Sequence, residues 1–150
     1  MAKTFEEGFT EIQKDMISIC LEYVENSAEK VYIYASFENN MISCSYFYKI
    51  NGKVYKRHKI NDSAFRNYDV SINRQKACMT ILNNDVKKLI ALCKEFEQKM
   101  PTEIKIKYDA INHKVDASYQ YDSRYSNIVG KGPEDMAEEW YEQEKGLEEK

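Results

Sequence analysis

Glycine and proline are scarce in this chain: five and two among 150 residues. That scarcity excludes a loop-dominated or disordered protein, whose composition leans on both. No apolar run approaches the roughly twenty residues of a membrane span. Histidine is limited to His58 and His113. The four cysteines, Cys20, Cys44, Cys78 and Cys93, form no Cys-x-x-Cys pair, and each sits inside an apolar pattern. They read as reduced, buried small hydrophobes. The histidines are not clustered with them in sequence, so neither a metal nor a cofactor is expected. There is no Gly-rich phosphate loop, no Gly-x-Ser-x-Gly elbow and no His-Glu-x-x-His helix. No catalytic set is legible, and the expectation is a protein that is not an enzyme. The start is charged and then amphipathic, with no secretory apolar core, so the expected compartment is the cytoplasm.

What the chain has is tyrosine, twelve residues of it, within an ordinary globular balance of 31% charged and 43% hydrophobic residues. The length predicts one domain, 1–150, with a core large enough to be stable unaided. The organising stretch is 30–60. Val31, Ile33, Ala35 and Phe37 alternate with Tyr32, Tyr34 and Ser36, the period of a strand. Asn51-Gly52 between two such runs predicts a tight hairpin, and Asn39-Asn40 is a weaker version of the same turn. Three antiparallel strands follow, near 30–38, 41–50 and 53–60. A second hairpin is expected downstream. Ile104, Ile106 and Tyr108 alternate with Lys105 and Lys107. After a turn at 109–113, Val115, Ala117, Tyr119 and Tyr121 alternate with Asp116, Ser118 and Gln120.

Helices complete the pattern. Thr4 with Glu7 is a capping box, and Phe5, Phe9, Ile12, Met16, Ile19 and Tyr23 recur at helical spacing as far as about Glu25-Asn26. A second helix begins near Arg74, with Cys78, Leu82, Val86, Leu89 and Cys93 on its apolar face. Asn83-Asn84-Asp85 are expected to kink or interrupt it, and Pro101 to end it. Gly132-Pro133 opens a third, acidic helix. The expected fold is α+β: an antiparallel sheet of about five strands, meander plus hairpin, against two long helices, with a C-terminal acidic helix (order α-β-β-β-α-β-β-α).

Charge is unevenly spread. Residues 133–150 hold eight acids and two lysines, a net of −6 against −3 for the whole chain, which leaves the body at +3. Tyr119, Tyr121, Tyr125, Trp140 and Tyr141 lie close in sequence to Asp116, Asp122, Glu134, Asp135, Glu138 and Glu139. Aromatic residues are enriched at interface centres, and carboxylates steer toward basic partners. These eleven residues are the candidate protein-binding set, set against a reading in which they only cover the sheet and keep the last helix soluble. An alternative is a small nucleic-acid-binding module built on the basic strand 53–59, with Lys53, Lys56, Arg57, His58 and Lys59 around Tyr55. That strand also reads as a solvated edge, where lysines discourage edge-to-edge pairing.

Several phrases, taken in order, resemble one family. They are the N-terminal amphipathic helix, then Glu29-Lys30-Val31-Tyr32-Ile33-Tyr34-Ala35, then Cys44-Ser45-Tyr46-Phe47-Tyr48. The long second helix, Ile104-Lys105-Ile106-Lys107-Tyr108-Asp109, Val115 to Asp122 and the acidic tail after Tyr125 follow. Together they are similar to the YezG-like immunity proteins of bacteria over nearly the whole chain. The resemblance implies a small cytosolic antitoxin of a polymorphic or type VII-exported toxin system. Its partner would be a cognate nuclease toxin domain, neutralised by protein–protein contact; nucleic acid then becomes the lesser expectation, and the lack of a long apolar run leaves no membrane partner expected. The slightly basic body departs from the more acidic members of that family.

Overall fold

The computed structural model describes residues 3–149. Met1 and Ala2 of the charged start, and Lys150 of the acidic segment, lie outside the described residues. The elements are α1 (Phe5–Tyr23), β1 (Lys30–Glu38), β2 (Met41–Ile50), β3 (Lys53–Lys56), α2 (Ile72–Glu95), β4 (Glu103–Asp109), β5 (Lys114–Gln120) and α3 (Pro133–Glu148). The α+β class and the element order follow the sequence expectation. The sheet is fully antiparallel, in the order β3-β2-β1-β4-β5, so β1 is central. Both sequence-predicted turns form. Asn39, Asn40 and Asn51 adopt left-handed φ of 51°, 60° and 52°, and Gly52 adopts 83°. Asparagine and glycine tolerate that region best, which places the hairpin register.

Three details differ from the sequence reading. The third strand stops at Lys56 rather than reaching residue 60, and a 3₁₀ turn at Ile60–Ser63 follows. The second helix runs unbroken through Asn83-Asn84-Asp85, and its end is set by Glu97 at φ 52°, ahead of Pro101. There the Gln98 N–H returns to the Cys93 carbonyl at 2.8 Å. The first helix ends at Tyr23, where the Asn26 N–H takes the Leu21 carbonyl at 2.9 Å.

Alternation along β1 gives the sheet two apolar faces, and each has its own cover. On one face, Val31, Ile33, Tyr46, Tyr48, Ile104 and Ile106 meet the apolar stripes of α1 and α2. The two helices approach closely at Gly8, where an added Cβ would lie 3.0 Å from Leu92 Cδ1. All four cysteines are free and buried, as expected. On the other face, Tyr32, Tyr34, Phe47 and Val54 are covered by Trp140 of α3.

Packing explains why α2 is not interrupted. Leu82, Val86 and Leu89 are buried in the core, and their packing holds the helix continuous through the three polar residues and carries Asp85 into the interior with them. Burial first, then the nearby Asp15 carboxyl, push the pKa of Asp85 up to about 7. Lys88, 3.8 Å away, offsets this only in part. A carboxyl with a raised folded-state pKa adds stability below its unfolded value and loses it as pH climbs through the folded value. Asp85→Asn should therefore match the parent near pH 4 and exceed its stability by ~1–3 kcal/mol near pH 8. Thermal melts of both proteins at the two pH values measure this. An equal gain at both would show that ionisation of Asp85 is not the cause.

Candidate partner-binding surface

The C-terminal helix brings the acidic segment onto the second face of the sheet, and that face is basic. Lys30 on the same strand, Lys49 on β2 and Lys105 and Lys107 on β4 flank Tyr32 and Tyr34. The acids on the inner side of α3 meet these lysines. Glu148 accepts Lys30 at 2.8 Å and Lys49 at 3.3 Å, and Glu144 accepts Lys107 at 2.6 Å. Glu138 accepts Lys56 at 2.7 Å. Glu149 takes the Val54 N–H at 2.7 Å. Burial alone would raise the pKa of Glu148, but Lys30 and Lys49 hold it below the usual carboxylate value. Much of the acidity concentrated at the end of the sequence is thus used inside the fold.

Two of the eleven candidates are corrected by burial. Trp140 is 5% exposed and Tyr125 is 3% exposed, so neither offers its ring to a partner. Trp140 lies edge-on to Tyr32 (5.9 Å) and Phe47 (5.1 Å), because the aromatic half of the second sheet face needs an apolar lid. Tyr141 is half-buried beside Phe47, with the Lys56 ammonium 5.0 Å from its ring centre. Tyr119 points to the opposite face. There it packs against Phe9 at 5.5 Å and accepts a hydrogen bond from Gln13. Asp116 is exposed on the edge strand, on the α3 side, opposite Lys107 in the register. Tyr121 is exposed beyond the end of β5, with Lys99 5.9 Å over its ring. Asp122 is exposed and holds Arg124 at 3.4 Å. These residues do not form one patch.

The remaining four do come together. Glu134, Asp135, Glu138 and Glu139 are exposed on the first turns of α3. Asp135 also caps the helix by accepting the Gly132 N–H at 2.7 Å, and Glu139 pairs with Lys131 at 2.9 Å. Beside them lies the loop 121–132. A shallow concavity joins Ile128 and Val129 of that loop to Asp135, Glu138 and Glu139.

The loop is tied down by a residue absent from the sequence-based set. Glu38, buried at the end of β1, accepts hydrogen bonds from Ser126 Oγ (2.7 Å), Arg124 N (2.9 Å), Ser123 Oγ (3.0 Å) and Ser126 N (3.3 Å). Burial alone would raise its pKa, yet those donors hold it below the usual carboxylate value. The buried Tyr125 ring pins the same segment. The sequence signal for Glu38 was weak: an acid closing an apolar strand before a turn.

A second concavity of about 230 Å³ lies between β2, β3 and the start of α3, lined by Arg57, His58, Glu134 and Glu138 among others. Desolvation, then the neighbouring Lys59, Arg57 and Lys56, lower the pKa of His58. His113 lies in the β4–β5 turn, 3.2 Å from the Tyr108 hydroxyl. Among the described residues, no group of three His, Cys, Asp or Glu side chains is placed to hold a metal ion. No helix among them is long and apolar enough to cross a membrane. No family model and no curated protein sequence matches the chain.

Proposed function

We propose that this protein is a cytoplasmic immunity protein. It binds and neutralises a cognate nuclease toxin domain by protein–protein contact, without catalysis of its own. The observation that carries this reading is the acidic surface of Glu134, Asp135, Glu138 and Glu139, set beside an exposed and anchored loop. A nuclease must accept a polyanion, so its working surface is basic. An acidic, preorganised surface can occupy it or dock beside it, with association speeded by charge. The likeness to YezG-like immunity proteins points the same way.

The nucleic-acid reading draws less support. Lys56 is already paired with Glu138, and the basic strand ends there. Polyanion binding through this segment would have to compete with the chain's own carboxylates.

Co-expression tests the proposal in cells. A nuclease toxin domain recovered with this protein by affinity capture from its own host should arrest growth when expressed alone. Growth should be restored when this protein is present. Continued arrest, with both proteins soluble and abundant, would remove the immunity reading.

A further inference from the structure

We infer that Ile128 and Val129, at the tip of the loop 121–132, form the apolar anchor of the docking surface, which seats in a recess of a basic protein partner. This rests on the immunity reading and names the contact within it. Three observations carry it.

The first is exposure. Val129 is fully exposed at 102% and Ile128 is 48% exposed, the two consecutive aliphatic residues of a loop whose other members are polar, glycine or tyrosine. Two adjacent branched apolar side chains held in water lose hydrophobic stabilisation that burial in a partner restores. The second is rigidity. The base of the loop is held by four hydrogen bonds to Glu38 and by the buried Tyr125 ring. The tip itself is closed by Ile128 N to the Tyr125 carbonyl at 2.9 Å and Lys131 N to the Ile128 carbonyl at 3.2 Å. A loop with no binding role gains nothing from presenting apolar residues on so fixed a base. A binding loop gains affinity, because less ordering remains to be done on association. The third is the rim. Asp135, Glu138 and Glu139 border the tip with Glu134 beside them; Lys131 pairs with Glu139 and Lys56 with Glu138, so four carboxylates face two ammonium groups and the rim stays net acidic. An apolar centre with a carboxylate border matches a partner that is basic around a small apolar recess.

The test uses the full-length protein, with the nuclease domain captured from its host as the probe, and reads association and dissociation rates. Ile128→Ser/Val129→Ser should raise Kd about thirtyfold, mainly through faster dissociation. Glu138→Gln/Glu139→Gln should slow association and flatten its salt dependence. Ile111→Ser, at another exposed apolar site, should leave Kd unchanged. Glu38→Gln weakens the tether without touching the partner, and it should slow association while the far-UV spectrum stays native. An unchanged Kd in the tip variant, with the parent binding tightly, overturns the anchor and leaves the immunity reading standing. An equal loss in Ile111→Ser also overturns it. If the parent itself fails to bind the nuclease domain, the anchor and the immunity reading both fall.

Discussion

Trp140→Ala should lower the free energy of unfolding by ~3–5 kcal/mol and release α3 from the sheet. Trp140 is the single tryptophan of the chain and the centre of the smaller core. It touches Tyr32, Tyr34 and Phe47, rings drawn from the first two strands of the meander. Removing it leaves a cavity that the rigid sheet does not close, and it wets three rings at once. The ion pairs of Glu144 and Glu148 sit at the margin of this core, and they keep their geometry only while the apolar seat holds α3 on the sheet. Urea unfolding followed by far-UV circular dichroism measures the loss. Limited proteolysis should cut the variant within 121–132 and spare the parent. A loss below ~1 kcal/mol would show that α3 is not seated through its indole.

Glu148→Lys should cost ~2–4 kcal/mol, more than an ordinary surface charge reversal. The carboxylate lies between Lys30 and Lys49 and also accepts the Tyr32 hydroxyl at 3.1 Å. A lysine there puts three ammonium groups together and leaves that hydroxyl without its acceptor. The pH dependence has a definite sign. The folded-state pKa of Glu148 is lowered, so its contribution is present above the ordinary carboxylate value and is lost as pH falls through the folded value. The gap between parent and variant should therefore narrow in acid. A gap that stays constant down to pH 2–3, across the usual carboxylate range, would place the defect in packing instead.

The two predictions share an origin in β1, and that strand shows what a sequence does and does not disclose. The alternation of Val31, Ile33 and Ala35 with Tyr32 and Tyr34 marks a strand, and Asn39-Asn40 and Asn51-Gly52 mark its turns. These are local signals, and the structure places β1 and β2 at 30–38 and 41–50 as expected. The same alternation puts aromatic residues on both sides. A sheet with two apolar faces needs two covers, and the amphipathic Met136, Trp140 and Tyr141 were available as the second. Weighed as an isolated helix, α3 reads as a solvated acidic surface, and its tryptophan fits a partner contact as well as a cover for the sheet; the structure makes it the cover. Only the strand order, which brings β4 beside β1, places Lys105 and Lys107 on the face that α3 covers. That pairing joins residues distant in sequence, and no local pattern encodes it.

The helix interruption failed for a related reason. Asn83-Asn84-Asp85 weakens a helix in isolation, but the burial of Leu82, Val86 and Leu89 on either side overrides a local preference of a few tenths of a kcal/mol per residue. At the candidate surface, the acids Glu134 to Glu139 were legible because charge runs are read directly. Ile128 and Val129 were not, since two apolar residues in a polar loop look unremarkable until their exposure and the Glu38 tether are seen.

Titration of nuclease activity tests the central claim most directly. Purified nuclease domain, at a fixed concentration well above Kd, is mixed with increasing amounts of this protein, and cleavage of a fluorescent substrate is followed. Stoichiometric neutralisation predicts a linear fall to background at one equivalent, with no recovery when substrate is raised after the complex has formed. Undiminished cleavage at tenfold excess of this protein would contradict the account.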